Sequence, residues 1–365
     1  MTEAPARSAG VRWAWAGLVS LAAWTLLQTR VPGPVLEWTP AMLDAARRME
    51  SALVVVAAHC RAARIAVNEG ADPNGTCLIG PEMSELFTTA GQLEAKRTTT
   101  NPDIAGLLAQ LLTEAGVSRG DRVAVAASGS FPALMMAALT AAEALGAIPL
   151  TILSPGSSSW GATRPEFDLI DLHRVLLERG ITHAPAAAAS LGGSGDTGRE
   201  FDPEVRDRLA RKIVDSGIRF LDEPDLAANV ALRMAIYGDV VAYVNIGGSD
   251  ASLGTSPEIL KVPAGLSLDL LRIALPPAEQ RGVLFEMAAE GVPVVHLLHV
   301  RGLALRFGVA WDPVPLPLAG TTRLREDARG RGPAFWLLAA AWAAGLAAVA
   351  LVGRGRRRPA DAPAA

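Results

Sequence analysis

The sequence predicts an α/β protein: a mainly parallel sheet with helices on both faces, plus one transmembrane helix at each end. Three observations carry this. Short apolar runs alternate with helical patterns from Asp121 to Leu297. A charge-free stretch of twenty residues, Pro333–Val352, lies near the C terminus, and a shorter one, Trp13–Leu27, near the N terminus. Strands alternating with helices build parallel sheets covered on both sides.

The anchors follow from length. At 1.5 Å per residue, Pro333–Val352 covers about 30 Å, the hydrocarbon thickness of a bilayer. Arg354, Arg356, Arg357 and Arg358 follow it. Trp13–Leu27 lies between Arg12 and Arg30, and Val11 and Gln28 extend it. No small-x-small cleavage site follows, so an uncleaved anchor is expected. Arg7 and Arg12 precede this segment and Arg30 follows it. The balance of basic residues leans toward both termini in the cytoplasm. The expected location is the cell membrane, with the central domain outside the cytoplasm. The chain then divides into an N-terminal tail and anchor (1–30), a helical lead-in (31–120), an α/β domain (121–317), a linker (318–332), a transmembrane helix (333–352) and a basic tail (353–365).

The formal net charge is −3, with +2 in the first thirty residues and +3 in the last thirty-three, which leaves −8 between them. An acidic domain has no general footprint for nucleic acid, and no such partner is expected. Cys60 and Cys77 form neither a metal motif nor a CxxC. Two unpaired thiols are the default reading, with pairing open in an oxidising compartment. His296 and His299 are three apart without a third ligand nearby, which reads as structural histidine. No cofactor and no metal are expected.

Along the chain, Ala41–Asn68 has a helical apolar rhythm, and Pro102–Ala115 is a second helix with Asn101 at its cap. Strands are expected at Arg122–Ala127, Ile148–Leu153, Ala186–Leu191, Val240–Ile246 and Val292–Leu297. Helices are expected at Pro132–Leu145, Phe167–Glu178, Pro203–Asp215, Asp225–Ile236 and Glu279–Glu290.

Four loops each follow an apolar strand: Ser128-Gly129-Ser130, Ser154–Gly161, Gly192–Gly198 and Gly247–Ser252. Ligands of open α/β sheets bind beyond the carboxyl ends of the strands. Glycine lets backbone approach a ligand, and Ser or Thr supplies hydroxyls. These loops are expected on one sheet edge, forming a crevice for an anion. The candidate binding residues are Ser128, Ser130, Ser158, Trp160, Ser194, Asp196, Asn245, Ser249 and Asp250. A polar loop before the sheet adds Lys96, Arg97 and Thr98, with Glu94 or Asp250 as the acid partner of Lys96 in the empty state. Gly193–Gly198 matches G-x-G-x-x-G only loosely, and the chain has neither a Walker phosphate loop nor a G-x-S-x-G.

Gly80–Ser84 (GPEMS), Leu93–Pro102 (LEAKRTTTNP), Ser128–Pro132 (SGSFP), Ser157–Gly161 (SSSWG), Ser190–Gly193 (SLGG), Tyr243–Gly248 (YVNIGG), Ala251–Gly254 (ASLG) and Gly291–Leu305 give the chain a family likeness. It resembles the poly-gamma-glutamate system proteins, membrane components associated with capsule biosynthesis at the cell surface. The resemblance implies an accessory role, without ATP, in making, exporting or anchoring an anionic γ-linked glutamate polymer. Other polymer-synthesis subunits, the membrane, and the polymer or glutamate are then the expected partners. It supplies no catalytic residues. An alternative is an amide hydrolase or transferase acting on the polymer, with Ser128, Ser130, Asp196 and Asp250 as candidates and Lys96 or His296 as base. Such a base activates serine only within hydrogen-bond reach. A third reading is a glutamate-binding sensor.

Overall fold

A computed structural model describes residues 16–22, 33–270, 275–327 and 333–354. Residues 36–324 form one compact unit, and the terminal segments form another. In the main unit the helices are α1 (Pro40–Ala62), α2 (Leu93–Thr99), α3 (Asp103–Glu114), α4 (Pro132–Leu145), α5 (Leu169–Glu178), α6 (Pro203–Asp215), α7 (Leu226–Tyr237), α8 (Asp250–Leu253), α9 (Val283–Ala289) and α10 (Val300–Phe307). The strands are β1 (Phe87–Thr89), β2 (Arg122–Ser128), β3 (Ile148–Ser154), β4 (Ser157–Ser158), β5 (Ala188–Ala189), β6 (Ala242–Ile246), β7 (Gly265–Ser267) and β8 (Val294–Leu297).

The main sheet has the order β5-β3-β2-β6-β8-β7. All its pairings are parallel except β7 with β8, so the sheet is mixed, with an antiparallel edge. Side chains alternate across β2. Val123, Val125 and Ala127 join one core with α1, α3 and α4, whereas Ala124 and Ala126 join the other with Tyr237 of α7 and Leu284 of α9. Helices therefore cover both faces. Local chemistry sets the helix ends. Thr39 Oγ1 accepts from Met42 N at 3.3 Å and Pro40 opens α1. Asp168 and Asp171 form a capping box at α5.

The lead-in residues pack into this body. Met42, Ala45, Met49, Leu53 and Val56 on one face of α1 are buried in the larger core. Residues after 317 are also tied down, since the Asp103 carboxylate accepts from Gly320 N at 2.6 Å and Thr322 N at 2.7 Å.

The expected transmembrane helices are corrected. Among the described residues no helix is long and apolar enough to cross a membrane. Of Trp13–Leu27, residues 16–22 are helical, and the rest lies outside the described residues. Near the C terminus the expected segment is helical, as α11 (Pro333–Arg354), and it is not among helices long and apolar enough to cross a membrane. Within this terminal unit Trp342 Nε1 donates to Ser20 Oγ at 3.2 Å.

The reading of two unpaired thiols is also overturned, because Cys60 and Cys77 form a disulfide. The end of α1 places Cys60 beside the loop that carries Cys77, with both residues buried.

Candidate active site

Because β2, β3, β5 and β6 are mutually parallel, the four glycine- and serine-rich loops all leave the same edge of the sheet. They interlock there. Gly129 N donates to Ser154 O at 2.8 Å, Gly156 N to Leu191 O at 2.9 Å, and Gly195 N to Asp250 Oδ2 at 2.6 Å. A Cβ on Gly247 would stand 2.1 Å from Ser128 Oγ, so only glycine allows this approach.

The chemistry concentrates where the first two loops meet α2. After β3 the chain passes through Pro155 and Gly156 into β4, which pairs in parallel with β1. Ser157 N donates to Leu86 O and Ser159 N to Thr89 O, both at 3.0 Å. This fixes Ser158 opposite the loop Ser128–Ser130. Ser158 N donates to Ser130 Oγ at 3.0 Å, and Ala162 N to Gly129 O at 2.7 Å. Trp160 takes a left-handed φ of 67° in the turn that follows.

Lys96 enters this pocket from α2, not from a loop. Its Nζ lies 2.6 Å from Ser158 Oγ, also bonds the carbonyl oxygen of Ser130, and sits 3.7 Å from the centre of the Phe131 ring. Lys96 is 2% exposed and Ser158 6%. Burial disfavours the ammonium and brings its pKa down to about 7. The expected acid partner is not there. Asp250 bonds Gly195, and desolvation is the dominant influence on Lys96. A lysine that can shed its proton at neutral pH does not need a carboxylate beside it. Arg97 turns away and pairs with Asp312, Nε to Oδ1 at 2.6 Å, and this partner holds its pKa up. Thr98 Oγ1 donates to Glu94 O and accepts from Asp312 N.

The other candidates do different work. Asp196 is buried with Arg233 in an ion pair that Ser190 Oγ joins at 2.8 Å and Asn229 Nδ2 at 3.2 Å. Ser190 bonds Ser154 in turn, so the network braces the ends of β3 and β5. Ser194 N bonds Glu200, and Ser249 Oγ donates to Ser252 Oγ at 3.3 Å. Asn245 Nδ2 donates to Gly247 O at 2.8 Å and meets His296 Nδ1 at 3.2 Å. Burial holds His296 neutral, with a pKa near 4, which makes it a weak base compared with Lys96. Among the described residues no group of three His, Cys, Asp or Glu side chains is placed to hold a metal.

Phe131, Gly91 and Arg164 belong to the candidate site although none of them was among the expected binding residues. A Cβ on Gly91 would come within 3.1 Å of Ser158 Oγ and 3.2 Å of Lys96 Cε. Arg164 donates to the carbonyls of Ala66, Cys77 and Ile79 and anchors the far end of the Ser158 loop. A cavity of about 760 Å³ lies elsewhere, lined by Glu85, Leu86, Asp168, Arg208 and Lys212 among others. Its charges largely neutralise one another, through Arg208 with Glu85 and Lys212 with Asp168 and Asp171.

Comparison with protein-family models, curated proteins and solved structures finds no match to the chain.

Proposed function

We propose that the protein is a serine-dependent amide hydrolase or transferase, with Ser158 as nucleophile and Lys96 as its base. The observation that carries this reading is the 2.6 Å contact between Lys96 Nζ and Ser158 Oγ in a buried site. A buried lysine with a pKa of about 7 is neutral in a large share of molecules at physiological pH. Neutral Nζ takes the hydroxyl proton as Oγ attacks an acyl carbon. The tetrahedral adduct collapses, the C–N bond breaks, and the amine departs carrying that proton. Ser158 is left as an ester, which water or a second amine resolves by the reverse proton path.

The resemblance to poly-gamma-glutamate system proteins supplies the substrate class, a γ-linked glutamate polymer that the reaction would trim, release or attach. The role is then accessory to polymer synthesis and export. The Cys60–Cys77 disulfide supports a site outside the cytoplasm.

The test is incubation of the purified protein with the polymer from below to above neutral pH, reading chain length and new end groups. The wild type should change the size distribution, and Ser158→Ala or Lys96→Met should lower the rate roughly 10³-fold. An unchanged polymer with the wild type, or full activity in Ser158→Ala, sinks the reading.

A further inference from the structure

We propose that Ser130 is a third catalytic residue of this site, its hydroxyl passing the proton from Lys96 to the departing nitrogen. The inference rests on the Ser158–Lys96 reading and adds a residue to it.

Both members of the dyad hold Ser130. Its carbonyl oxygen accepts from Lys96 Nζ, and its hydroxyl oxygen accepts from Ser158 N at 3.0 Å. Ser130 is 8% exposed, and among the described residues its hydroxyl proton has no acceptor. A hydroxyl of this kind has a donor to offer an incoming group. The surroundings of that hydroxyl are polar. The neighbouring Ser128 Oγ is buried without any hydrogen-bond partner. The spot that a Cβ on Gly247 would fill lies 2.1 Å from Ser128 Oγ and 3.4 Å from Ser130 Cβ. Gly247 therefore lets its backbone lie directly against both serine side chains. Buried hydroxyls left unpaired are costly, so Ser128 Oγ and the Ser130 hydroxyl proton are both groups that a ligand could satisfy.

The relay solves a positional problem. Once Lys96 holds the proton from Ser158, its ammonium is fixed by the Ser130 carbonyl and the Phe131 ring. The departing nitrogen lies across the adduct from the attacking oxygen. In the proposed step Ser130 Oγ–H gives its proton to that nitrogen while Lys96 gives one to Ser130 Oγ. The C–N bond breaks, the amine leaves neutral, and Lys96 ends uncharged with Ser130 restored. Deacylation runs the same path in reverse from water. No oxidant, metal or further reactant is needed.

A leaving group that needs no proton bypasses the relay, and this gives the test. The full chain is assayed with a fluorophosphonate, which labels Ser158 as fluoride departs. It is assayed in parallel with a γ-glutamyl coumarinylamide and the corresponding γ-glutamyl umbelliferyl ester. Ser130→Ala should lower amide turnover roughly 100-fold, while the pre-steady-state burst of ester acylation and the rate of labelling fall by no more than about 3-fold. Ser130→Thr keeps a hydroxyl and should recover most of the amide rate. Equal losses on all three probes would put Ser130 on the carbonyl oxygen or in the scaffold and overturn the relay, as would unimpaired amide turnover in Ser130→Ala or no recovery in Ser130→Thr. A wild type neither labelled nor active on either substrate removes the dyad reading, and the relay falls with it. A labelled wild type with equal losses removes the relay alone.

Discussion

Arg164 donates from Nη1 to the carbonyl oxygen of Cys77 at 3.1 Å, which ties the loop bearing Ser158 to the disulfide. The same guanidinium bonds Ile79 O at 2.7 Å and Ala66 O at 3.2 Å, and Arg164 is 5% exposed. Burial lowers its pKa, although Asp72 opposes this. Asp72 also accepts from Cys77 N at 2.7 Å. The disulfide, the Cys77 segment and the Ser157–Arg164 loop thus form one mechanical chain.

Cutting that chain at the disulfide should loosen the active loop. The closed loop between Cys60 and Cys77 has a sequence separation of 17. Crosslinks of this size contribute about 3 kcal/mol by limiting the unfolded chain. Denaturant unfolding of Cys60→Ser/Cys77→Ser, or of the wild type under reductant, should show that loss. Amide turnover should fall with it. An unchanged unfolding midpoint would mean that the crosslink contributes nothing to the fold.

Asp196 should be a scaffold residue. It and Arg233 are each 1% exposed and share bonds with Ser190 and Asn229. Removing one partner of a buried pair leaves the other charge uncompensated, at a cost of about 3–5 kcal/mol. Asp196→Ala should therefore lower the melting temperature sharply. Protein that still folds should keep its fluorophosphonate labelling. Loss of labelling in a folded Asp196→Ala protein would place Asp196 in the chemistry instead.

The alternation of apolar strands with helices was legible because buried parallel strands read as short Val, Ile and Ala runs, and α4 and α6 match the helical pattern end to end. The helix around Lys96 was not. Gly91 before it and the three consecutive threonines at its end, Thr98 to Thr100, look like a loop, since β-branched residues are poor helix formers. The folded chain compensates by bonding each hydroxyl back to a carbonyl: Thr98 to Glu94, Thr99 to Lys96, Thr100 to Arg97. β1 and β4 are too short to show any period. The loops and the basic residue of the site could be named from sequence. Which serine faces Lys96 could not, because that contact spans 62 positions and depends on the β1–β4 pairing.

Gly91 keeps the dyad uncrowded. An alanine methyl there would meet Ser159 O at 2.8 Å, Ser158 Oγ at 3.1 Å and Lys96 Cε at 3.2 Å. The first contact is with fixed backbone and forces a shift of a few tenths of an ångström. Gly91→Ala should lower kcat about 10- to 100-fold, since small displacements of reacting groups have large rate effects. The melting temperature should change far less than in Asp196→Ala. Wild-type kcat in Gly91→Ala would show that the Nζ–Oγ distance is not limiting.

Lys96 sets the final prediction, in which activity and stability rise together with pH but respond oppositely to substitution. Its pKa falls from 10.5 to about 7 through burial alone. Activity should therefore rise as pH passes upward through about 7, because only the neutral amine can accept the Ser158 proton. The stability effect has the same sign. Between about 7 and the ordinary lysine value the unfolded chain holds a proton that the folded chain has released. Stability then increases with pH across that window, and the full penalty is present below it. The penalty amounts to about 5 kcal/mol, from 1.36 kcal/mol per pKa unit. Lys96→Met removes it, at a cost of about 1–3 kcal/mol for leaving the Ser130 carbonyl without its donor. The variant should be inactive yet more stable than the wild type by about 2–4 kcal/mol at neutral pH, with the gain shrinking as pH rises. Thermal unfolding of both proteins from neutral to strongly alkaline pH checks this. A Lys96→Met protein that is less stable than the wild type throughout would assign Lys96 to holding the fold together and not to the reaction.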